Sequence, residues 1–246
     1  MKTFAADLHI HTLLSPCGDL DMSPLNIVKA ARAKHLDIIA ITDHNTTKHC
    51  RLIHELAAND DILVIGGAEV TSKEEAHCVG LFPDFNSLEQ FEVYLQEHLP
   101  EIPNDPAKFG YQVQVDKAEN IVYEEPKLLI SAIDQSVEEI GKKVHSLGGL
   151  FIPAHVDRPV FGLISQLGFI PDDLNYDAIE LSKHTTLRDF MDQHPFLDGK
   201  NFIRSSDAHF LRDIGSATTK FLLNEASFAE IKKALRKEGG RNIVVE

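Results

Sequence analysis

Short apolar runs rich in β-branched residues recur along the chain and alternate with stretches of helical periodicity. The apolar runs are Phe4 to His11, Asp37 to Thr42, Ile62 to Val70, His77 to Phe82, Gly149 to Ala154, Asp177 to Leu181 and Asn201 to Ser205. Helical spacing fits Pro24 to Lys34, Thr46 to Ala58, Ser87 to His98, Pro126 to Leu147 and Ala226 to Glu238. Ser23 before Pro24 marks one helix start, a hydroxyl that can accept from a free N–H followed by a ring whose φ is already helical. Such alternation predicts an α/β fold built on a parallel sheet. Seven strands predict a closed or nearly closed barrel rather than an open doubly wound sheet, and no glycine-rich dinucleotide or phosphate loop is present.

The stretch from Pro83 to Glu125 breaks this rhythm: Pro100, Pro103 and Pro106 precede an alternating segment, Tyr111 to Val115, and then Ile121 to Tyr123. It reads as a hairpin-bearing insertion (83–125) near the barrel mouth. No internal repeat or low-complexity tract appears, and 246 residues suit one barrel domain spanning 1–246.

Composition narrows the setting. Apolar residues at 43% and charged residues at 25% fit a globular chain, and no apolar run approaches the roughly 20 residues a bilayer crossing needs. Met1-Lys2-Thr3-Phe4 leads straight into a strand, so no signal peptide and no membrane partner are expected, and the expected location is cytoplasmic. Cys17, Cys50 and Cys78 form no CxxC pair, which removes a disulfide framework or cysteine zinc site. The net charge of −14 argues against long nucleic acid as a partner; a small phosphorylated substrate is the partner expected instead. Cations bound in a carboxylate-lined cleft would locally reverse that sign.

Polar residues gather at the ends of the apolar runs. Asp7, His9 and His11 alternate, so a strand places them on one face. Thr42-Asp43-His44, Glu69, His77, His155, Glu180 with Lys183 and His184, and Asp207-Ala208-His209 follow at other strand ends. In barrels of this type the C-terminal strand ends build the active site, so these positions converge.

Four of these motifs, Asp7-Leu8-His9-Ile10-His11, Thr42-Asp43-His44, His155 and Asp207-Ala208-His209, occur in the order found in the PHP superfamily, named for polymerase and histidinol phosphatase. The chain resembles that family over almost its whole length. The resemblance implies a distorted (β/α)7 barrel holding two or three divalent ions, zinc, manganese or iron. It implies His9, His11, Glu69 and Asp207 at the first ion, with Glu69 bridging to a second held by His77 and His155. A third would take His44 and His209, with Asp19 or, alternatively, Asp21 from the loop Ser15 to Asp21. Mixed nitrogen and oxygen donors suit borderline ions better than calcium or magnesium.

Asp7 and Asp43 read as acceptors that orient ligand imidazoles. Clustered cations suit phosphate-ester hydrolysis by an activated water. His44 or His209 would assist the leaving group, and Arg158 would bind non-bridging oxygens unless it serves a surface ion pair. Lys183 and His184 are further substrate-binding candidates, with a solvated loop as the alternative. His35, His49, His54, His98, His145 and His194 read as surface or partly buried imidazoles. The function expected is a metal-dependent hydrolase of a small phosphorylated metabolite or nucleotide. A nuclease on short oligonucleotides or 3′,5′-bisphosphorylated nucleotides, or a non-catalytic metal-binding module, are the alternatives.

Overall fold

The computed structural model describes residues 1–244. The chain begins β1 (Lys2–Ile10), α1 (Pro24–Ala33), β2 (Ile38–Ile41), α2 (Cys50–Leu56), β3 (Leu63–Thr71), β4 (His77–Phe82) and α3 (Phe85–His98). It continues with α4 (Pro106–Phe109), β5 (Val113–Val115), β6 (Ile121–Glu124), α5 (Val137–Ser146), β7 (Leu150–Pro153) and α6 (Leu163–Leu167). The last elements are β8 (Ile179–Leu181), α7 (Leu187–Gln193), β9 (Phe202–Arg204), β10 (Thr219–Leu223), α8 (Phe228–Leu235) and β11 (Asn242–Val244).

Seven strands form one curled sheet in the order β11-β10-β1-β2-β3-β4-β7. Only β1, β2 and β3 pair in parallel; β4, β7, β10 and β11 join antiparallel. A fully parallel (β/α)7 barrel is therefore not what forms. The reason is local: residues 72–76 are too few for a crossover helix, which needs about a dozen residues, and they close a tight turn in which Ser72 N–H donates to Ala76 O at 2.9 Å. β8 and β9 form a separate parallel pair. Asp177 N–H to Phe151 O (2.9 Å) and Val156 N–H to Glu180 O (3.0 Å) join it to β7. Ala208 N–H to His9 O (3.3 Å) and His11 N–H to Ala208 O (3.0 Å) join the segment after β9 to β1. The half-barrel sheet and this pair together make a distorted barrel.

Both faces of β2, β4 and β7 are buried, which is why these strands read as near-continuous apolar runs. Ile39, Ile41, Ala68, Cys78 and Phe151 pack on the side of α1, α2, α3 and α5. Ile38, Ala40, Ile65, Val79 and Ile152 pack on the other side with Ile231 and Leu235 of α8. α5 and α2 both start well after the point their periodicity predicts. α5 starts at Val137 because Ser136 and Glu139 close a capping box there. α2 starts at Cys50 because Thr46 and Thr47 bind the Glu92 carboxylate, with Thr47 N–H donating at 2.6 Å.

β5 and β6 form a hairpin apart from the main sheet. It docks on the loop after β1: Val113 N–H donates to Leu13 O at 3.2 Å, and Leu13, Val113 and Val115 share a small apolar cluster. Gly110, at φ +102°, lies so close to this loop that a Cβ would stand 2.0 Å from the Pro16 carbonyl oxygen.

Candidate metal centre

The strand ends bring the expected ligands to one place. Glu69, from β3, is the hub, buried to 1% exposure. Its Oε1 lies 3.3 Å from His9 Nε2, 2.9 Å from His77 Nδ1 and 2.9 Å from His155 Nε2. Its Oε2 lies 3.3 Å from His11 Nε2 and 3.1 Å from His44 Nδ1. Asp207, beyond β9, stands opposite, with Oδ1 3.6 Å from His9 Nε2, 3.4 Å from His11 Nε2 and 3.5 Å from His209 Nδ1.

Two observations test whether this set suits a metal ion. Ligands about 2.0–2.2 Å from a tetrahedral ion stand roughly 3.3–3.6 Å apart. The contacts of His9 and His11 with Glu69 and Asp207 measure 3.3, 3.3, 3.6 and 3.4 Å. Moreover, His9 Nε2, His11 Nε2, His44 Nδ1, His155 Nδ1, Glu69 Oε2 and Asp207 Oδ1 are buried without a hydrogen-bond partner. Such atoms are costly in a folded interior unless something else satisfies them. The His9, His11, Glu69 and Asp207 set can hold an ion, and so can the groups His44, Glu69, His77 and His11, His44, His209.

The residues behind the ligands fix their tautomers. His9 Nδ1 donates to Glu180 at 3.0 Å, so Nε2 faces the centre. His11 Nδ1 donates to Ser15 Oγ (2.9 Å), whose hydroxyl donates to Asp43 (2.7 Å), so Asp43 acts on His11 through a serine. Asp7 does not accept from an imidazole as expected. It takes the backbone N–H groups of Ser206 (2.9 Å) and Gly215 (2.8 Å), pinning the Asp207 loop to β1. Glu180 stood out in sequence only as a polar strand end.

Electrostatics divide the imidazoles. Burial opposes charge on His9 and His11, but carboxylates outweigh it: Glu180, Glu69 and Asp207 hold His9 well above its ordinary pKa, and Asp207 and Glu69 raise His11 to about 9. Burial would push Glu69 and Asp207 up, yet the surrounding imidazoles hold both far below the carboxylate range. Burial and neighbouring histidines push His44 well down and His209 to about 4. Both are held neutral near pH 7, the form in which an imidazole can ligate an ion.

Other expected residues lie farther out. Asp19 joins none of the ligand groups among the described residues: its carboxylate accepts from Asp21 N–H at 2.8 Å, and Asp21 is exposed. Arg158 pairs with Asp207 Oδ2 at 2.5 Å. With Lys183, His184, Asp207 and His209 it lines a cleft of about 240 Å³. His49, taken from sequence as a peripheral imidazole, is fully buried. His155 (φ +28°), Asp207 (+50°), Asn45 (+47°) and Phe161 (+61°) take left-handed backbone conformations, strain of a kind that gathers at functional sites. Phe161 stacks on His77, ring centroids 4.6 Å apart and planes 4° off parallel.

The PHP domain profile matches residues 7–146, and a PHP-associated profile matches residues 198–239. The chain belongs to the PHP domain family. YqxK of Bacillus subtilis, an uncharacterized protein, is 24% identical over 278 residues, covering 99% of this chain and 65% of YqxK. The lesion-specific endonuclease Q of Pyrococcus furiosus superposes with a TM-score of 0.76 at 20% identity, over 98% of this chain and 58% of that one. A Bifidobacterium adolescentis protein assigned as a metal-dependent phosphoesterase superposes with a TM-score of 0.56 at 18% identity, over 83% of this chain and 87% of that one. The chain thus spans about two thirds or less of the length of YqxK and of the endonuclease.

Endonuclease Q has also been solved with a 27-mer duplex carrying an abasic lesion at its active site, at a TM-score of 0.73 to this chain. The exclusion of long nucleic acid drawn from net charge is corrected by that finding. Net charge averages over a whole chain, whereas binding depends on the local field beside the bound ions. No helix among the described residues is long and apolar enough to cross a membrane.

Proposed function

We propose that this chain is a metal-dependent hydrolase of phosphate esters, with zinc, manganese or iron as its ions. In this reading His9, His11, Glu69 and Asp207 hold one ion, and Glu69 shares a second with His77, His155 and His44. The spacing of His9 and His11 against Glu69 and Asp207, between 3.3 and 3.6 Å, is the observation that carries it. A third ion at His44 and His209 is the weakest of the set.

Bound divalent ions would polarise phosphoryl oxygens and make a water acidic enough to attack phosphorus near neutral pH. The chain's own residues supply position and charge. Glu180 and Ser15 hold the Nδ1 protons of His9 and His11, which keeps both Nε2 lone pairs turned inward. Arg158, now paired with Asp207, stands where its guanidinium can turn to a phosphate, with Lys183 and His184 on the same cleft.

A nucleic-acid phosphodiester is the substrate that the endonuclease likeness favours over a small phosphorylated metabolite. Arg158 and His184 also line a second hollow of about 370 Å³, with Val156, Asp157, Ser165 and His194, which would leave room beside the scissile phosphate.

Metal analysis of the purified protein, with hydrolysis of sugar phosphates, histidinol phosphate, mononucleotides, bisphosphorylated nucleotides, oligonucleotides and duplexes containing an abasic site, tests the proposal. Two or three ions per chain are expected, with turnover that His9→Ala and Asp207→Ala abolish. Stoichiometric metal without turnover of any of these esters would replace the hydrolase with a non-catalytic metal-binding module.

A further inference from the structure

A buried polar chain leads away from His11 and ends on the β5–β6 hairpin. Its far member is His49, fully buried in the loop before α2. Val115 of β5 donates its backbone N–H to His49 Nε2 at 3.1 Å, so Nε2 carries the lone pair and Nδ1 the proton. Burial pushes the His49 pKa down to about 4, leaving a single ring proton. That proton goes to Thr12 Oγ1 at 2.8 Å.

Every later proton direction follows. Thr12 Oγ1 accepts from His49 and from Leu14 N–H (3.1 Å), and donates to Asp43 Oδ2 (2.8 Å). Asp43 Oδ1 accepts from Thr12 N–H and from the Ser15 hydroxyl, both at 2.7 Å. Ser15 Oγ, its one proton committed, accepts from His44 N–H (3.2 Å) and from His11 Nδ1 (2.9 Å). Both hydroxyls are saturated, with two bonds accepted and one donated, so neither can turn without breaking a bond inside the protein. His11 is left with Nε2 toward Glu69 and Asp207.

We infer that His49 is a positioning residue that ties the hairpin to the metal centre, acting through Thr12, Asp43 and Ser15 on the orientation of His11. The inference rests on reading His11 as a metal ligand. The hairpin, whose outer strand exposes Ile121, Val122 and Tyr123, is on this account a structural part of the centre rather than a detached flap.

The test uses the full chain and Mn²⁺ alone as the probe, with affinity read by isothermal titration and amide exchange read at Val115. His49→Phe fills the same space with neither donor nor acceptor. It is expected to weaken the tightest Mn²⁺ site about tenfold, the low end for residues placed behind ligands, and to speed exchange at Val115. His49→Gln, whose amide can donate to Thr12 and accept from Val115, should restore most of the affinity. Because the effect travels through one hydroxyl, His49→Phe and Thr12→Val should not be additive when combined.

A folded His49→Phe protein with native Mn²⁺ affinity, or additive losses in the double variant, overturns the inference. Where His49→Phe does not fold, Thr12→Val decides alone: it keeps the shape and removes the hydroxyl, and native affinity there is equally fatal. Absence of phosphate-ester turnover would sink the hydrolase reading and leave these affinities standing.

Discussion

His9 Nδ1 lies 3.0 Å from one oxygen of Glu180 and 3.2 Å from the other, and the same carboxylate accepts the backbone N–H of His155 at 3.2 Å. One buried acid therefore sets the tautomer of one candidate ligand and the backbone of another. Glu180→Gln keeps the volume and loses the charge. It should lower metal affinity about 10- to 100-fold with little change in fold, read by isothermal titration and circular dichroism. An unchanged Kd would show that His9 does not ligate.

The carboxylates around His9 and His11 make stability depend on pH and metal in opposite senses. Without metal, both imidazoles hold protons that the unfolded chain loses near pH 6.5, and His11 keeps its own to about 9. A raised histidine pKa gives stability that is complete below about 6.5 and lost as pH rises through the folded value. Thermal melts of the chelated protein should therefore fall between pH 6.5 and 9. Asp7, raised to about 6 mainly by burial, loses its share between the unfolded value of 3.8 and 6, before that window opens. Metal must displace the histidine protons, so its affinity should rise over the same range, with proton release visible as a buffer-dependent binding heat. A melting temperature that holds or climbs in chelator from pH 6.5 to 9 would contradict the charge assignment.

How much of this the sequence carries depends on how far each partner lies along the chain. His9, His11, His44, Glu69, His155 and Asp207 are legible because each ends or follows an apolar run, and a strand buried on both faces leaves few other polar positions. Glu180 is visible as a strand end, but its partner His9 is 171 residues away, and no local pattern encodes that bond. His49 looks peripheral for the same reason: its acceptor role depends on Val115, 66 residues on. The parallel barrel fails at the five residues between β3 and β4, a length readable in advance as a turn. α5 was likewise decided locally, since Ser136 and Glu139 form a capping box in the middle of a longer periodic stretch. Net charge misled because it carries no position.

Phe161 holds φ at +61° with its ring stacked on His77, a conformation that costs a non-glycine residue about 1–3 kcal/mol. Phe161→Ala and Phe161→Gly both remove the ring, but only glycine relieves the backbone. The glycine variant should be the more stable by about 1 kcal/mol in denaturant unfolding, although glycine elsewhere is the less stable of the two. Equal stabilities, or a more stable alanine variant, would show that the backbone there is unstrained.

The third ion separates the carboxylates most sharply. His44 and His209 are neutral imidazoles, and among the described residues the only other donor grouped with both is His11, whose Nε2 faces the first ion's carboxylates. Neutral nitrogens alone attract a dication less than a set that includes Glu69 and Asp207, so this ion should bind last and weakest. Asp19 joins no ligand group among the described residues; its Oδ1 accepts from Asp21 N–H, and its own N–H holds His209 O at 2.9 Å. Asp19→Ala should therefore leave the metal count and affinities unchanged while costing about 0.5–1.5 kcal/mol for the lost turn bond. His209→Ala should remove only the weakest ion. Metal counting by mass spectrometry across a titration distinguishes the two, and an ion lost in Asp19→Ala would mean that the loop from Ser15 to Asp21 rearranges to make Asp19 a ligand.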